Sequence, residues 1–560
     1  MFNVLKTPFE EKREDKFFSV YPRPQLVRDS YFCLNGEWEL DGKRIIVPFP
    51  PQSRISEYDG WENFNLEHFT YKKTFTLPEN FNFGRVFINF GACDQICKVY
   101  LNNTLIGENV GGYLPFSFEI TNALKDGVNV LTAEVTDTLD LSLPYGKQRK
   151  SRGGMWYTPV SGIWQTVWLE SVRGEYIKSL KITPDMKGAT LEIMGCENEE
   201  KTVLCDGKEY KFTENTVRIE PESPHLWSCD DPYLYDITIK TKDDEVRSYF
   251  GLREVGITQI GEYPRMTLNG KPIFANGVLD QGYYSDGIFL PATPEGFEFD
   301  ILKMKELGFN MLRKHIKIEP EIFYYMCDKY GMLVFQDMVN NGKYNFIRDT
   351  ALPTVFLKKG VIKHVSAETK QNFKSTMEKT IKHLYNHPCI IYYTIFNEGW
   401  GQNSTKEMYE AAKASDSTRI WDSASGWFIT KHTDVESPHV YFKPVKFRKK
   451  TVGKPRVLSE FGGYSYPMEG HIFNPKNNYG YKTFRSREEL TEALYCLYED
   501  EIYPAVHRGL CAAVLTQVSD VEDETNGIVT YDRQCVKVEE EKIKKCFKRL
   551  YFEFERANRG

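Results

Sequence analysis

The chain has 560 residues, too many for a single hydrophobic core, so roughly two to four domains are expected. Hydrophobic residues make up 41% and charged residues 27%, as in ordinary globular proteins, while aromatics reach 14%, which suits sandwich cores and sugar-stacking surfaces. A net charge of −6 with no basic stripe argues against nucleic acid as a partner, no apolar run approaches a membrane span, and the start MFNVLKTPFEEKRED has no apolar leader core.

The 12 cysteines are scattered without a CxxC pair, which fits reduced thiols in a cytoplasmic setting better than a disulfide framework or a zinc site. Residues 1–172 read as a β-sandwich: GRVFINFGA, KVYLNNTLIG, NVLTAEVTD and GIWQTVWLE alternate between turn residues such as Asn102-Asn103. Residues 173–255 repeat this on a smaller scale and read as a seven-stranded, immunoglobulin-like sandwich, with buried aromatics supplied by Trp227 and its neighbours up to Tyr235. Trp156 and Trp164 are assigned to the core of the first sandwich.

From residue 256 to 560 strand-like runs alternate with helical ones, the signature of a parallel sheet. Eight candidate strands lie at 272–280, 310–315, 332–338, 390–398, 419–425, 435–441, 456–462 and 511–520, which predicts a (β/α)8 barrel. Gly308 and Gly331 read as helix stops. The long interval 339–366 is a candidate active-site loop, and the last helix, KVEEEKIKKCFKRLYFEFERA, is expected to end the barrel without further sandwiches.

Chemistry in such a barrel sits at the C-terminal strand ends. Strand two ends in Arg313-Lys314-His315, strand three in Gln336-Asp337, strand four in Asn397-Glu398 and strand seven in Ser459-Glu460. Two glutamates at strand ends facing one cavity supply what glycoside hydrolysis needs: an acid to protonate the leaving oxygen, and a carboxylate that attacks the anomeric carbon or activates water. Which of the two the second carboxylate does depends on a separation that sequence does not give.

The motifs WYTPVSGIWQTVWLE, FGLREV, LNGKPIFANGV, GFNMLRKHIKIEP, FNEGWG and SEFGG are similar, over nearly the whole chain, to glycoside hydrolase family 2, the β-galactosidase and β-glucuronidase family. The resemblance implies a jelly-roll sandwich, an immunoglobulin-like sandwich and a catalytic barrel, with hydrolysis that retains configuration through a covalent glycosyl-enzyme. It implies Glu398 as general acid/base, Glu460 as nucleophile, Asn397 on the sugar 2-hydroxyl and Tyr441 holding the nucleophile. His315, Asp337, Trp400 and Gln517 are further candidate substrate contacts; Trp427 is a weaker one, and Arg313 a brace for a barrel carboxylate. No cofactor or metal is carried over, and a homo-oligomer is the expected assembly.

The chain departs from the family pattern in informative places. Gly153-Gly154 stands where large β-galactosidases place an acid before Met-Trp, and Gly463 stands where they have a histidine. Glu524-Thr525-Asn526-Gly527-Ile528 lacks the Asn-x-Lys motif by which β-glucuronidases bind a uronate. A terminal β-galactoside is the leading substrate. A β-hexuronide, glucuronide or galacturonide, is the alternative, with Lys314, Lys317, Lys482 or Arg485 holding its carboxylate. A sugar-binding protein on an inactive barrel is the reading from another class.

Overall fold

The computed structural model describes residues 2–13, 17–351, 365–447 and 453–559. In the first sandwich a six-stranded sheet runs in the order Lys43–Val47, Gly36–Leu40, His68–Thr76, Val128–Thr136, Ile96–Leu101, Thr104–Val110. A four-stranded sheet, Tyr31–Cys33, Val167–Val172, Arg85–Phe90, Phe116–Glu119, accompanies it. The run VNVLTAEVT shows why these are strands: its residues alternate outward and inward, and Leu131, Ala133 and Val135 join Tyr71, Val99 and Ile88 in one core. Asn102 and Asn103 both take left-handed backbone and close the hairpin between Leu101 and Thr104.

The next region holds seven strands in sheets of three and four, around Ile182, Leu191, Val203, Ile237 and Val246. Trp227 does not join that core. Its ring packs in the barrel cluster and its indole N–H donates to the Asp328 carbonyl at 2.7 Å, because the segment before the strand Tyr235–Lys240 crosses onto a barrel helix. The FGLREV segment then pins the linker to the barrel: Arg253, fully buried, donates to the carbonyls of Pro388 (2.8 Å) and Ile390 (3.2 Å).

The barrel strands are β1 Ala275–Asp280, β2 Met311–Lys314, β3 Leu333–Asp337, β4 Ile390–Thr394, β5 Ile420–Asp422, β6 His439–Val440, β7 Arg456–Gly462 and β8 Leu510–Thr516. All pair in parallel in the order β5-β4-β3-β2-β1-β8-β7-β6. The edges β5 and β6 meet through Asp434 N–H to the Trp421 carbonyl and Gly426 N–H to the Ser437 carbonyl, both 2.9 Å. Gly308 and Gly331 end their helices in left-handed backbone, as their sequence context predicts. The last helix, Glu540–Asn558, buries Ile543, Cys546, Phe547, Leu550 and Phe554, a single stripe at helical spacing.

Several strands are shorter than the ranges expected for them, and β5 keeps only Ile420–Asp422 of 419–425. β4 stops at Thr394, because the chain leaves the sheet so that Asn397 can pair with Ser425 beyond β5. β6 keeps only two residues, since Pro438 interrupts the preceding run. The expected loop 339–366 lies partly outside the described residues. All twelve cysteines are free, and among the described residues no helix is long and apolar enough to cross a membrane.

Candidate active site

Strand ends β2, β3, β4, β6 and β7 deliver side chains to one place, and Arg313 organises them. From β2, its guanidinium, 1% exposed, donates to Asp337 Oδ1 (3.0 Å), Glu460 Oε1 (3.0 Å), the Ser459 carbonyl (2.8 Å), Asn397 Oδ1 (2.9 Å) and Ser425 Oγ (3.1 Å). A cation with this many acceptors is held in one pose, and so are the groups that accept from it. Arg313 therefore braces carboxylates, as its position on β2 suggests.

Asn397 follows from this network. Its Oδ1 accepts from Arg313 and from Ser425 Oγ (2.8 Å), so its Nδ2 is left as the outward donor. The next residue, Glu398, takes a left-handed backbone (φ 51°), an uncommon conformation for a residue with a side chain. Its N–H donates to the Ser425 carbonyl at 3.0 Å, which fixes the turn that follows β4.

Glu460 accepts from Arg313 on Oε1 and from the Tyr441 hydroxyl on Oε2. Burial alone would raise its pKa, but His439, Arg313, His315 and the Tyr441 hydrogen bond hold it down at about 2. Burial, reinforced by the Glu460 charge, pushes the Tyr441 phenol well above its ordinary range. His439 links the two glutamates: its Nδ1 lies 2.9 Å from Glu398 Oε1 and 3.4 Å from Glu460 Oε2. The three donor atoms all fall within 4.8 Å of one another. Among the described residues this trio is the group with metal-ligand spacing, and its atoms also hydrogen-bond to one another and to Tyr441.

The remaining candidates divide. His315 donates from, or accepts at, Nδ1 with Asp337 Oδ2 at 2.7 Å, and both are buried behind Arg313. Burial sets the direction for His315, which is lowered; Asp337 is lowered despite burial, by Arg313 and His315. Gln517 sits at the end of β8, bonded to Gln281 (2.8 Å), Glu524 (3.1 Å) and Asn526 (2.8 Å). Trp400 is buried in an aromatic group with Trp156 (5.1 Å between centroids) and Tyr145 (5.2 Å), and its N–H donates to the Gly342 carbonyl, so its face is packed. Trp156 and Trp164 belong to the barrel-side cluster and not to the sandwich core: Trp156 packs on Trp400, and Trp164, though its N–H groups bond to the sandwich carbonyls of Ala92 and Gly112, turns its ring to Phe289.

Three of the cations expected from sequence lie elsewhere. Lys317 is buried among the Gly282 and Phe289 carbonyls (2.5 and 2.7 Å) and both oxygens of Glu319 (2.9 Å each), which leaves it nothing to offer a ligand. Lys314 is likewise taken by Asp280 (2.6 Å) and Glu319 (2.8 Å). Arg485 is exposed before the helix Arg487–Leu497 and meets Glu489 through its backbone N–H. His439 is the main residue that sequence reading missed. It precedes Tyr441 by two on the same strand run, so both project to one side, and that spacing was the available signal.

A family model described as the TIM barrel domain of glycosyl hydrolases family 2 matches residues 261–549, more than half of the chain. The galactose-binding domain-like model of the same family matches 51–162, and a further family 2 model matches 176–253. A β-galactosidase from Thermoanaerobacter pseudethanolicus is 27% identical over 438 residues, 72% of this chain and 54% of that protein. A β-glucuronidase from Bacteroides fragilis is 24% identical over 392 residues, 63% of this chain and 54% of that protein. The chain thus spans about half the length of these curated relatives. The solved β-D-glucuronidase of Dictyoglomus thermophilum superposes with a TM-score of 0.74 at 20% identity, over 94% of this chain and 98% of that one, a likeness of fold.

Proposed function

The chain belongs to glycosyl hydrolases family 2, and from that premise we propose that it is an exo-acting, retaining β-glycosidase acting on terminal β-galactosides. The carrying observation is the approach of Glu398 and Glu460 from β4 and β7, whose carboxyl oxygens come within 4.8 Å. Retaining enzymes hold their carboxyl groups about 5–5.5 Å apart, and inverting ones leave a wider gap for water.

In the first step Glu460 Oε attacks the anomeric carbon while the bond to the leaving oxygen breaks, and Glu398 gives that oxygen its proton. In the second, water loses a proton to Glu398 and attacks the same carbon, and the bond to Glu460 breaks. Glu460 suits the nucleophile's part because its pKa of about 2 keeps it ionised. Asn397 Nδ2 is oriented to donate to the sugar 2-hydroxyl, and Tyr441 steadies the oxygen of Glu460 that is not held by Arg313.

The galactoside reading is supported by the β-galactosidases among the relatives and by the commitment of Lys314 and Lys317 to Glu319. The β-hexuronide reading is supported by the β-glucuronidases among the relatives. Free cysteines throughout fit a reducing, cytoplasmic compartment.

Aryl β-galactoside, β-glucuronide and β-galacturonide decide among these readings when turned over side by side. Glu460→Ala is expected to abolish turnover of the preferred one. Azide is expected to restore activity to Glu398→Ala on substrates with good leaving groups. Full activity in Glu460→Ala contradicts the assignment.

A further inference from the structure

Lys147 brings to the rim of the site an ammonium that, among the described residues, no carboxylate neutralises. Lys147 lies on the segment that leaves the first sandwich after the strand Val128–Thr136. Tyr145 and Gly146 donate to the Asn340 carbonyl, just past β3, at 3.1 and 3.3 Å. Gly146 sits so close to the chain after β2 that a Cβ there would lie 2.9 Å from the Ile316 carbonyl, and Ile316 directly follows His315. On the other side, the Lys147 carbonyl accepts from the Tyr157 N–H at 3.0 Å, and the Tyr157 hydroxyl donates to Glu524 Oε2. The backbone of Lys147 is therefore fixed on the barrel rim between His315 and Glu524.

The side chain of Lys147 is half-buried, with its ammonium 5.6 Å from the centre of the Trp156 ring. Among the described residues no carboxylate forms an ion pair with it. Its charge nevertheless reaches both neighbours: it adds to the burial that lowers His315 and, together with the Tyr157 and Gln517 hydrogen bonds, opposes the burial that raises Glu524. Glu524 is 5% exposed; its Oε2 is taken by Tyr157 and by Gln517 at 3.1 Å, and among the described residues its Oε1 has no donor. Tyr481, its ring tilted by 30° against Tyr441 with centroids 4.1 Å apart, lies in the field of Glu398, Glu460 and Glu524.

We propose that Lys147 and Glu524 form a donor–acceptor pair that reads hydroxyl groups of a neutral hexosyl ring, making a residue of the first sandwich a specificity determinant of the barrel's reaction. The inference rests on the β-glycosidase reading and narrows it. An ammonium donates to a hydroxyl oxygen and a carboxylate accepts the same or a neighbouring hydroxyl's proton, so the pair is satisfied by a sugar alcohol. A uronate carboxylate would gain Lys147 and meet Glu524 as a like charge. Lys314 and Lys317 are already neutralised by Asp280 and Glu319.

The test compares kcat/KM for aryl β-galactoside and its 4-deoxy and 6-deoxy analogues in the wild type, Lys147→Met, Lys147→Arg and Glu524→Gln. Lys147→Met is expected to lose about ten- to hundredfold on the parent and far less on the analogue lacking the hydroxyl it reads, with partial recovery in Lys147→Arg. Equal losses on parent and both analogues overturn the proposal. So does a wild type that prefers a uronide and loses that preference in Lys147→Met, an outcome that leaves the β-glycosidase reading standing. Calorimetric binding of free galactose reads the same contact without turnover: weaker binding by Lys147→Met supports the pair, and unchanged or undetectable binding by both proteins overturns it.

Discussion

The two glutamates are held in different ways. Glu460 is locked: Arg313 grips one oxygen, Tyr441 the other, and Arg313 itself is fixed by Asp337, Asn397 and the Ser459 carbonyl. Glu398 stands on a left-handed turn just past the sheet, with His439 as its side-chain partner. The difference matches the demands of the two proposed roles. A nucleophile must keep its charge and its aim, whereas an acid/base group must take and give up a proton twice in each turnover. Crowding with cations and donors suits the first task and would hinder the second.

The comparison breaks most severely if Arg313 is removed. Arg313→Met leaves Asp337 and Glu460 buried without their shared cation, and a loss of about 3–5 kcal/mol in stability is expected from urea unfolding. Activity should fall together with stability, and stability that stays unchanged would show that the brace is dispensable. Tyr441→Phe is milder. Removing one hydrogen bond to a charged group is worth about 1.5–3 kcal/mol, which predicts a fall in kcat of about ten- to hundredfold with the fold intact by circular dichroism.

The same variant has a pH signature. Glu460 is depressed from 4.5 to about 2 in the folded protein, so its stabilising contribution is complete above pH 4.5 and is lost as the pH falls towards 2. Tyr441→Phe removes one of the lowering influences, so acid unfolding followed by tryptophan fluorescence should begin at higher pH than in the wild type. The opposite shift would contradict the assignment of Tyr441 as a donor to Glu460.

Gly146→Ala probes the sandwich's hold on the barrel rim. The new methyl would meet the Tyr113 hydroxyl at 2.6 Å and the Ile316 carbonyl at 2.9 Å, at a backbone φ of 66°. A stability loss of about 1–3 kcal/mol is expected, with a raised KM as Lys147 is displaced. The smallest effect belongs to Arg485→Ala: an exposed side chain outside the network should change stability by less than about 0.5 kcal/mol and leave the galactoside-to-uronide ratio of kcat/KM unchanged. A selective loss on uronides would return Arg485 to the site.

What was legible in the sequence follows the physics of each element. The barrel was readable because parallel strands buried on both faces are continuous apolar runs, and a polar residue ending such a run stands out, as Asn397, Glu398 and Glu460 do. Arg313 was readable for the same reason. The cations are not legible because a lysine's partners are set by tertiary contacts: Lys317 and Lys147 look alike in sequence, yet one is enclosed by Glu319 and the other has no carboxylate partner among the described residues. Trp156, Trp164 and Trp227 were placed in sandwich cores because an aromatic near a strand usually belongs there; these three pack across to the barrel, and only the spatial path of their segments reveals it.

The most direct test of the central claim is to trap the covalent intermediate. A 2-deoxy-2-fluoro β-galactoside with a good leaving group, incubated with the protein and mapped by peptide mass spectrometry, should leave one sugar on the peptide that contains Glu460. A label on Glu398, or turnover of the parent galactoside with inverted anomeric configuration and no label on any peptide, would contradict the account.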